Sequence, residues 1–259
     1  MQRIISWNVA SVRARMPVLV HFLKQEQPDF VLLQEIKATE ENFPFMDFQI
    51  EGYRAVISGQ KGYNGVAILA KKALLNVQDK LSGFEDQARF IQAETPEGLT
   101  LISVYVPNGN PPEKDPFSTE RLDYKLRWMA ALNQHVKNLI KQGKKVILGG
   151  DFNVIEHETD VYNPELFRGG ALMCESVQKT YGELKKIGLE NAIRKFNSAP
   201  HTYSFWDFQG GAWPRNNGIL LDAIWVEPGL HVSEGRIYRE VRGVAGTSDH
   251  VPVGIELTD

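Results

Sequence analysis

The chain has 259 residues, a formal net charge of −3 and 42% hydrophobic residues. This charge argues against a protein that coats nucleic acid by bulk electrostatics, but not against a nuclease whose metal-binding acids lower the total. The single cysteine, Cys174, excludes an internal disulfide and suits a reducing compartment.

The hydropathy pattern of the chain predicts the cellular location of the protein and its domain organisation. The first apolar run begins within the first few residues, with no charged leader and no long apolar segment, which predicts a cytoplasmic protein with no membrane association. Strand patterns recur to the C-terminus without a linker. We therefore expect a single domain over residues 1–259.

In the first half of the chain, apolar runs predict strands at residues 3–8, 29–35, 53–58, 65–69 and 101–108. A short helix over residues 18–27 ends before Pro28, because the residue before a proline avoids the helical region. The glycine-containing segment 59–64 predicts a hairpin loop between the third and fourth strands.

In the second half, a long helix begins at Ser118 or Thr119 and ends before Gly143. Its apolar residues recur at spacings of three and four, which predicts a core-facing stripe. A second helix over residues 177–187 stops at Gly188. Further strands are predicted at 146–148, 219–226 and 251–257.

Polar side chains recur at the ends of these apolar runs. They are Asn8, Glu35, Tyr105, Asn108, Asp151, Asn153, Asp249 and His250, with Asp222 inside an apolar run. The two glycines before Asp151 predict a sharp turn that presents its carboxylate at an open edge. If the strands lie side by side, their polar ends form one acidic, amide-rich cluster with a histidine. A divalent metal and a phosphate ester require such a cluster.

Asp222 and His250 predict a functional pair. An unpaired carboxylate inside an apolar strand is costly, so Asp222 requires a partner, in a catalytic pair or in a structural ion pair. His250 follows Asp249 directly at the start of a strand, which favours a catalytic histidine over a surface histidine.

Basic and aromatic residues supply candidates for substrate contact. The candidate basic rim comprises Arg13, Arg15, Lys37, Lys61, Arg89, Lys125 and Arg127, with solvated surface charge as the alternative for each. The aromatic stretch 201–208 and Trp213 in the next glycine-rich loop precede the strand of Asp222. Trp206 and Trp213 suit either substrate contact or core packing.

Taken in order, six motifs resemble those of the exonuclease III family of DNA-repair nucleases. They are Gln34-Glu35-Ile36-Lys37, Gly59-Gln60-Lys61-Gly62 with Gly65-Val66-Ala67, Tyr105-Val106-Pro107-Asn108, Gly150-Asp151-Phe152-Asn153, Leu221-Asp222, and Ser248-Asp249-His250-Val251-Pro252-Val253. The resemblance implies an α/β four-layer sandwich, with two mixed β-sheets packed face to face and helices outside.

The same resemblance implies a monomeric enzyme that hydrolyses double-stranded DNA with one or two Mg²⁺ or Mn²⁺ ions. The implied activities are cleavage on the 5′ side of abasic sites and 3′-to-5′ exonuclease action.

The resemblance also implies roles for individual residues. Glu35 becomes the principal metal ligand with Asn8 beside it, and Asp249 binds a second ion or its water. Asp151 and Asn153 hold the attacking water, and Asp222 orients His250. The further candidate metal ligands are Asp151, Asn153 and His250. The candidates for contact with substrate are Tyr105, Asn108, Lys37, Trp206 and Trp213.

Two positions depart from the family pattern. Ala10 stands where the family usually has Asn or Asp near the metal, followed by Ser11 where glycine is common, and Leu220 stands where it often has arginine. Other phosphodiesterases or phosphatases of the superfamily and a non-catalytic DNA-binding module remain alternatives. Tyr105 disfavours the pancreatic-type deoxyribonucleases, which place a histidine there.

Overall fold

A computed structural model describes residues 1–258, which form two β-sheets of six strands each and six α-helices. The strands of the first sheet are β1 (Gln2–Asn8), β2 (Phe30–Gln34), β3 (Arg54–Ser58), β4 (Val66–Ala70), β11 (His231–Ile237) and β12 (Val253–Thr258). Those of the second are β5 (Leu75–Gln78), β6 (Phe90–Glu94), β7 (Leu99–Tyr105), β8 (Lys145–Asp151), β9 (Glu190–Asn191) and β10 (Asp222–Val226). The helices are α1 (Val12–Glu26), α2 (Phe45–Ile50), α3 (Glu120–Lys141), α4 (Glu175–Lys186), α5 (Ala192–Phe196) and α6 (Ala212–Arg215).

Both sheets are mixed, with one parallel pair near the centre of each. The first has the order β11-β12-β1-β2-β4-β3 and the second the order β5-β6-β7-β8-β10-β9. The parallel pairs are β1 with β2 and β7 with β8, and each is joined through a helix. A parallel pair requires such a crossover because its strands start at the same edge.

The layers follow from where the apolar side chains lie. Residues such as Ile4, Leu32 and Ile147 belong to a buried cluster between the sheets. Leu19 of α1 packs on the outer face of the first sheet, and Met129 of α3 packs on that of the second. Burial of each large aliphatic side chain stabilises the fold by about 1.5–3 kcal/mol. The predicted four-layer sandwich is confirmed.

Strand register aligns several of the predicted polar residues. Asp151 at the end of β8 pairs with Tyr105 of β7 on one side and with Asp222 of β10 on the other. In the first sheet, Asn8 of β1 pairs with Gln34, which directly precedes Glu35. The catalytic candidates therefore share one end of the two sheets.

The two glycines before Asp151 do not form the sharp turn that the sequence predicts. Gly149 and Gly150 lie within β8 rather than in a turn, and Asp151 is buried rather than presented at an open edge. A Cβ at Gly149 would lie 2.6 Å from Leu32 of the opposite sheet, and one at Gly150 would clash with the backbone oxygen of Val104 on the neighbouring strand β7. Gly149 thus lets the two sheets approach closely beside the site, and Gly150 leaves room for the backbone of β7.

The predicted strands and helices occur in the structure, but the sequence patterns did not predict the strands β5, β6, β9 and β11 or the helices α2, α5 and α6. Asp222 is the first residue of β10 and does not lie inside a strand that starts at residue 219. The hairpin of β3 and β4 is confirmed. Helix α1 begins at Val12 rather than at residue 18, because packing of its buried apolar face outweighs the tendency of Pro17 to interrupt a helix. None of the helices within residues 1–258 has the length and apolar character needed to cross a membrane.

Candidate active site

The side-chain amide of Asn8 joins the two sheets at their shared end. Its Nδ2 donates to Glu35 Oε1 at 2.9 Å and to Asp151 Oδ2 at 2.9 Å. Asn8 and Asp151 are buried, and the two carboxylates come from different sheets. One neutral amide thus satisfies an oxygen of each acid and holds the two carboxylates close together.

His250 lies between two carboxylates of the second sheet. Its Nδ1 lies 2.8 Å from Asp222 Oδ2, and its Nε2 lies 3.6 Å from Asp151 Oδ2. The Ser204 hydroxyl donates to the same Asp222 oxygen at 2.6 Å. Asp222 therefore fixes the orientation of the imidazole, as its burial in an apolar strand predicted.

Asp151, Asn153 and Asn108 connect the loops that follow β7 and β8. The Asn153 backbone N–H donates to Asp151 Oδ1 at 2.9 Å. The amide of Asn153 donates to the Val106 carbonyl at 2.9 Å and accepts from Asn108 Nδ2 at 3.3 Å. Asn153 thus orients Asp151 through its backbone and holds Asn108 through its side chain.

Burial and neighbouring charges shift the pKa values of Asp151 and His250. Burial raises the pKa of Asp151, and the nearby Asp222 charge adds to this shift. Burial lowers the pKa of His250, but the charges of Asp222 and Asp151 outweigh it and raise the pKa to about 10. His250 is therefore held as an imidazolium, whereas Asp151 can accept and release a proton near neutral pH.

Glu35 has a different electrostatic environment from Asp151. Burial raises the pKa of Glu35, but hydrogen bonds from Lys37 and Asn8 outweigh it and leave the pKa below its ordinary value. Lys37 Nζ lies 2.8 Å from Glu35 Oε2, so this predicted substrate contact pairs with the acid. Glu35 is therefore a negatively charged carboxylate, and it pairs with the positively charged Lys37 side chain.

Tyr105 and Arg89 form one wall of the site. Burial, followed by the charges of the Glu35 and Asp151 carboxylates, raises the pKa of Tyr105. The Arg89 guanidinium lies 4.8 Å from the centre of the Tyr105 ring and donates to the Tyr105 carbonyl at 3.2 Å. Tyr105 therefore remains a neutral hydrogen-bond donor beside a fixed positive charge.

The backbone around the site adopts conformations that are rare for residues with side chains. Left-handed φ angles occur at Ala10 (45°), Ser11 (96°), Glu35 (50°), Lys37 (50°) and Asn153 (50°). The Ser11 N–H donates to the Glu35 carbonyl at 2.7 Å, which ties two of these segments together. Strained backbone of this kind persists where surrounding contacts fix it, and it concentrates at functional sites.

Comparison with known proteins identifies the family to which this site belongs. The model of the Endonuclease/Exonuclease/phosphatase family matches residues 5–250. An exodeoxyribonuclease of Bacillus subtilis (strain 168) is 31% identical over 261 residues, which cover 97% of this chain and 97% of the relative. The chain belongs to the endonuclease/exonuclease/phosphatase family.

Solved structures of two DNA-processing enzymes are similar to this chain over its whole length. A 3′ phosphatase, NExo, from Neisseria, bound to a product DNA hairpin, superposes with a TM-score of 0.94 at 30% identity and covers 100% of both chains. An AP endonuclease from Archaeoglobus fulgidus superposes with a TM-score of 0.93 at 29% identity, again over 100% of both chains. The predicted resemblance to exonuclease III is confirmed.

The nucleases of this family typically depend on a divalent cation. Within residues 1–258, no three His, Cys, Asp or Glu side chains form a complete metal cage. The hard oxygen donors of the Glu35 carboxylate nevertheless fit an ion such as Mg²⁺, which takes one or two carboxylates and keeps several waters. Asn8 turns its N–H group toward Glu35, and its Oδ1 accepts from the Ala10 N–H. The charged state of Glu35 and its contact with the Lys37 ammonium agree with a cation site at this carboxylate.

The two departures from the family pattern lie at different depths. Ala10 is partly exposed beside the Asn8 side chain, and its N–H donates to Asn8 Oδ1 at 3.1 Å. Leu220 is buried, and its N–H donates to the Asp160 carbonyl at 2.8 Å. The first departure leaves a partly exposed apolar residue beside Asn8, and the second leaves a buried apolar residue where the family often has arginine.

Not every predicted residue joins the cluster. Asp249 accepts a hydrogen bond from the Ser248 hydroxyl at 3.1 Å, and its charge acts on Arg242. Lys125 of the predicted basic rim is completely buried, so its assignment to the rim is wrong. Arg89, from the same set, does lie beside Tyr105.

The prediction that Trp206 contacts substrate is wrong. Its side chain is completely buried, and Trp213 packs against it edge to face at 4.9 Å between ring centres. Trp213 is partly buried and lies under the Arg239 guanidinium, so its contact with substrate stays a prediction. Adjacent side chains of an extended segment point in opposite directions. Phe205, one residue before Trp206, therefore faces the site, with its ring 4.8 Å from that of His250.

Sequence reasoning also missed two serines. Ser204 donates to Asp222, and its oxygen accepts from the N–H groups of Leu221 and Asp222 at 3.1 and 3.2 Å. Ser248 donates to the Asn8 carbonyl at 2.7 Å and accepts from the His250 N–H at 3.2 Å. The position of Ser248 two residues before a buried histidine was the available signal.

We expect His250 to titrate far above the ordinary histidine range in metal-free protein, because Asp222 and Asp151 favour its charged form. The pKa is raised from 6.5 to about 10, so the stability it contributes is complete below pH 6.5 and is lost as the pH rises through about 10. Asp222→Asn should lower the pKa of His250 in a ¹⁵N-resolved NMR titration. The same substitution should destabilise the protein more at pH 6.5 than at pH 10. An imidazole that titrates near 6.5 in the unsubstituted protein would contradict this assignment.

Proposed function

We propose that the chain is a divalent-metal-dependent nuclease that cleaves duplex DNA on the 5′ side of abasic sites and trims 3′ ends. The carrying observation is the contact of Asn8 with both Glu35 and Asp151, beside His250. The names of its relatives, an exodeoxyribonuclease, a 3′ phosphatase and an AP endonuclease, support the same chemistry. We extend the proposal to one catalytic domain over residues 1–259 that acts as a cytoplasmic monomer.

In this proposal Glu35 holds one Mg²⁺ or Mn²⁺ ion, and Asn8 orients the Glu35 carboxylate through its N–H group. Such an ion neutralises charge that develops on the phosphate during hydrolysis. We place Asp249 outside this set because its carboxylate accepts from Ser248 and faces the Arg242 charge. We also place His250 outside it, because an imidazolium is a hydrogen-bond donor rather than a metal ligand.

Asp151 moves the proton in the proposed reaction. Its carboxylate takes a proton from the attacking water, whose oxygen bonds to phosphorus while the bond from phosphorus to the 3′ oxygen breaks. The same carboxyl group then returns the proton to the leaving 3′ oxygen. The raised pKa of Asp151 suits both steps, and the N–H of Asn153 fixes its orientation.

The phosphate is bound by donors on either side of Asp151. The His250 imidazolium donates from Nε2, and Asp222 holds the opposite nitrogen. Tyr105 donates from the end of β7 and Asn108 from the loop after it, with Arg89 adding positive charge behind Tyr105. Fixed donors of this kind stabilise the transition state without reorganisation.

Two alternatives make different predictions about substrate. A phosphatase or phosphodiesterase of the same family for a small substrate would hydrolyse small phosphate esters in preference to DNA. A DNA-binding module without catalysis would have no need for buried acids at its DNA-facing end, where they repel phosphates. The packed set of Asn8, Glu35, Asp151 and His250 favours catalysis.

Preference for abasic sites follows from Phe205. The Phe205 ring packs on His250 and belongs to an apolar wall with Ile219 and Leu221. A nucleotide that lacks its base costs less to turn out of the helix than the few kcal/mol needed for a paired base. The wall can contact the bare sugar, whereas an attached base would occupy the same space.

We expect Glu35→Gln to reduce DNA cleavage in Mg²⁺ by roughly a thousandfold, because the neutral amide binds the cation poorly and transition-state charge is left uncompensated. Single-turnover cleavage of a duplex with one abasic analogue and calorimetric titration with Mn²⁺ measure the two effects. Glu97→Gln is the matched control, since Glu97 is exposed and pairs with Lys72 away from the site. Cleavage in excess chelator at the rate seen in Mg²⁺ would refute the metal-dependent mechanism.

We expect Phe205→Ala to lower incision at an abasic site by about tenfold more than cleavage of an undamaged recessed 3′ end, because one apolar contact changes discrimination by this order. Phe208→Ala is the control on the same loop. It is 54% exposed and contacts Arg15 and Arg242 instead of His250. Trp206→Ala should destabilise the fold and lower both activities together. Equal losses of the two activities in Phe205→Ala would show that this ring does not set the preference.

A further inference from the structure

Lys125 of α3 is a buried cation that the proposed reaction does not use. Its side chain is 0% exposed, although lysine is among the residues least often buried completely. Its Nζ donates to three backbone carbonyls, those of Asn108 at 3.2 Å, Asn153 at 2.6 Å and Ala171 at 2.7 Å. Three acceptors match the three hydrogens of an ammonium group.

The three carbonyls belong to three different loops. Asn108 follows β7, Asn153 follows β8, and Ala171 precedes α4. Two of these loops carry residues of the site, and their side chains are already joined by the Asn108–Asn153 hydrogen bond. Lys125 therefore joins the three loops through one ammonium group.

Backbone geometry around Lys125 agrees with a fitted contact. Asn153 has a left-handed φ of 50°, a strained conformation that requires support from its surroundings. Gly109 has a φ of 84°, and a Cβ there would lie 2.8 Å from Lys125 Cδ. The loop can close over the lysine stem because residue 109 is glycine.

The electrostatic cost of this arrangement argues against an accidental burial. Burial lowers the pKa of Lys125, and the charges of Asp151 and Cys174 partly oppose the shift. The three carbonyl acceptors favour the ammonium form, because only that form has a hydrogen for each of them. An apolar residue of similar length would fill the same space without this cost. The retained ammonium contributes what an apolar residue cannot, a bond to each of three loops.

We infer that Lys125 is a positioning residue, whose ammonium holds the loops of Asn108 and Asn153 in the arrangement that DNA cleavage requires. It acts through Asn153, which orients Asp151, and through Asn108, which contacts the phosphate. This inference rests on the proposed nuclease function. It requires the rate of the chemical step to depend on Lys125 more strongly than DNA binding does.

The test compares Lys125→Met with Leu132→Ala. Methionine keeps the length and apolar packing of the stem but removes the three donors. Leu132 is buried in the same helix and does not belong to the site, so its truncation destabilises the fold without touching the loops. The measurements are the single-turnover rate on an abasic duplex in Mg²⁺ and the Kd for the same duplex in chelator.

We expect Lys125→Met to lower the single-turnover rate by roughly a hundredfold, the effect of displacing reacting groups by about 1 Å. The Kd should change by less than about threefold, because most DNA contacts are unaffected. Leu132→Ala, measured where it remains folded, should keep the rate within about threefold of the unsubstituted protein. Lys125→Gln should recover part of the rate, since its amide retains a donor, and it replaces Lys125→Met if that variant does not fold.

Hydrogen exchange supplies a readout that is independent of activity. Amides in residues 106–110 and 151–154 should exchange faster in Lys125→Met than in Leu132→Ala. Equal amide exchange rates in the two variants would overturn the positioning role. A loss of cleavage rate in Lys125→Met that is matched by a rise in its Kd for DNA would overturn it as well. An unsubstituted protein that does not cleave DNA would instead overturn the proposed function on which this role depends.

Discussion

The hydrogen bonds from the Asn8 amide to Glu35 and Asp151 are the interaction on which the rest of the site depends. The two acids belong to different sheets, and like charges brought together away from water repel each other. Asn8 offsets this repulsion with one N–H group for each carboxylate. Gly149 makes the arrangement possible, because any side chain at that position would meet Leu32 of the opposite sheet.

This arrangement gives the two acids different chemical properties. Glu35 lies against Lys37 at the opening of the site and has a lowered pKa, which suits a cation ligand. Asp151 is buried and has a raised pKa, which suits proton transfer. Pairs of titratable groups whose surroundings push their pKa values apart are typical of sites that combine acid and base chemistry. His250 supplies the positive charge that lets Asp151 ionise in this environment.

The sequence predicted most of the fold and the main members of the cluster. Apolar runs that end in polar residues located Asn8, Glu35, Asp151 and His250, because strands that enter one sheet edge together bring their ends together. The six motifs in order predicted the pairing of the two sheets, which no single run could specify. Asp222 was recognised because a carboxylate inside an apolar strand requires a partner.

The errors arose where the direction of a side chain decides its role. Trp206 and Phe205 are adjacent aromatic residues, and composition cannot tell which one faces His250. Lys125 was assigned to a basic rim because lysines are usually exposed, and the three carbonyls that hold it lie on loops distant in sequence. Gly149 was interpreted as a turn residue, although it is needed where the two sheets come close. Each of these features depends on tertiary contacts that local patterns do not contain.

The most direct measurement of the central claim is the single-turnover cleavage rate of Asn8→Leu on an abasic duplex in Mg²⁺. Leucine has the same branched skeleton of four heavy side-chain atoms as asparagine but cannot donate to either carboxylate. Asn133→Leu is the control, because it removes an amide that bonds the Thr180 carbonyl between α3 and α4. The account predicts a fall of roughly a hundredfold or more for Asn8→Leu, as for other misplaced reacting groups, and little change for the control. A rate for Asn8→Leu within about threefold of the unsubstituted protein would contradict it.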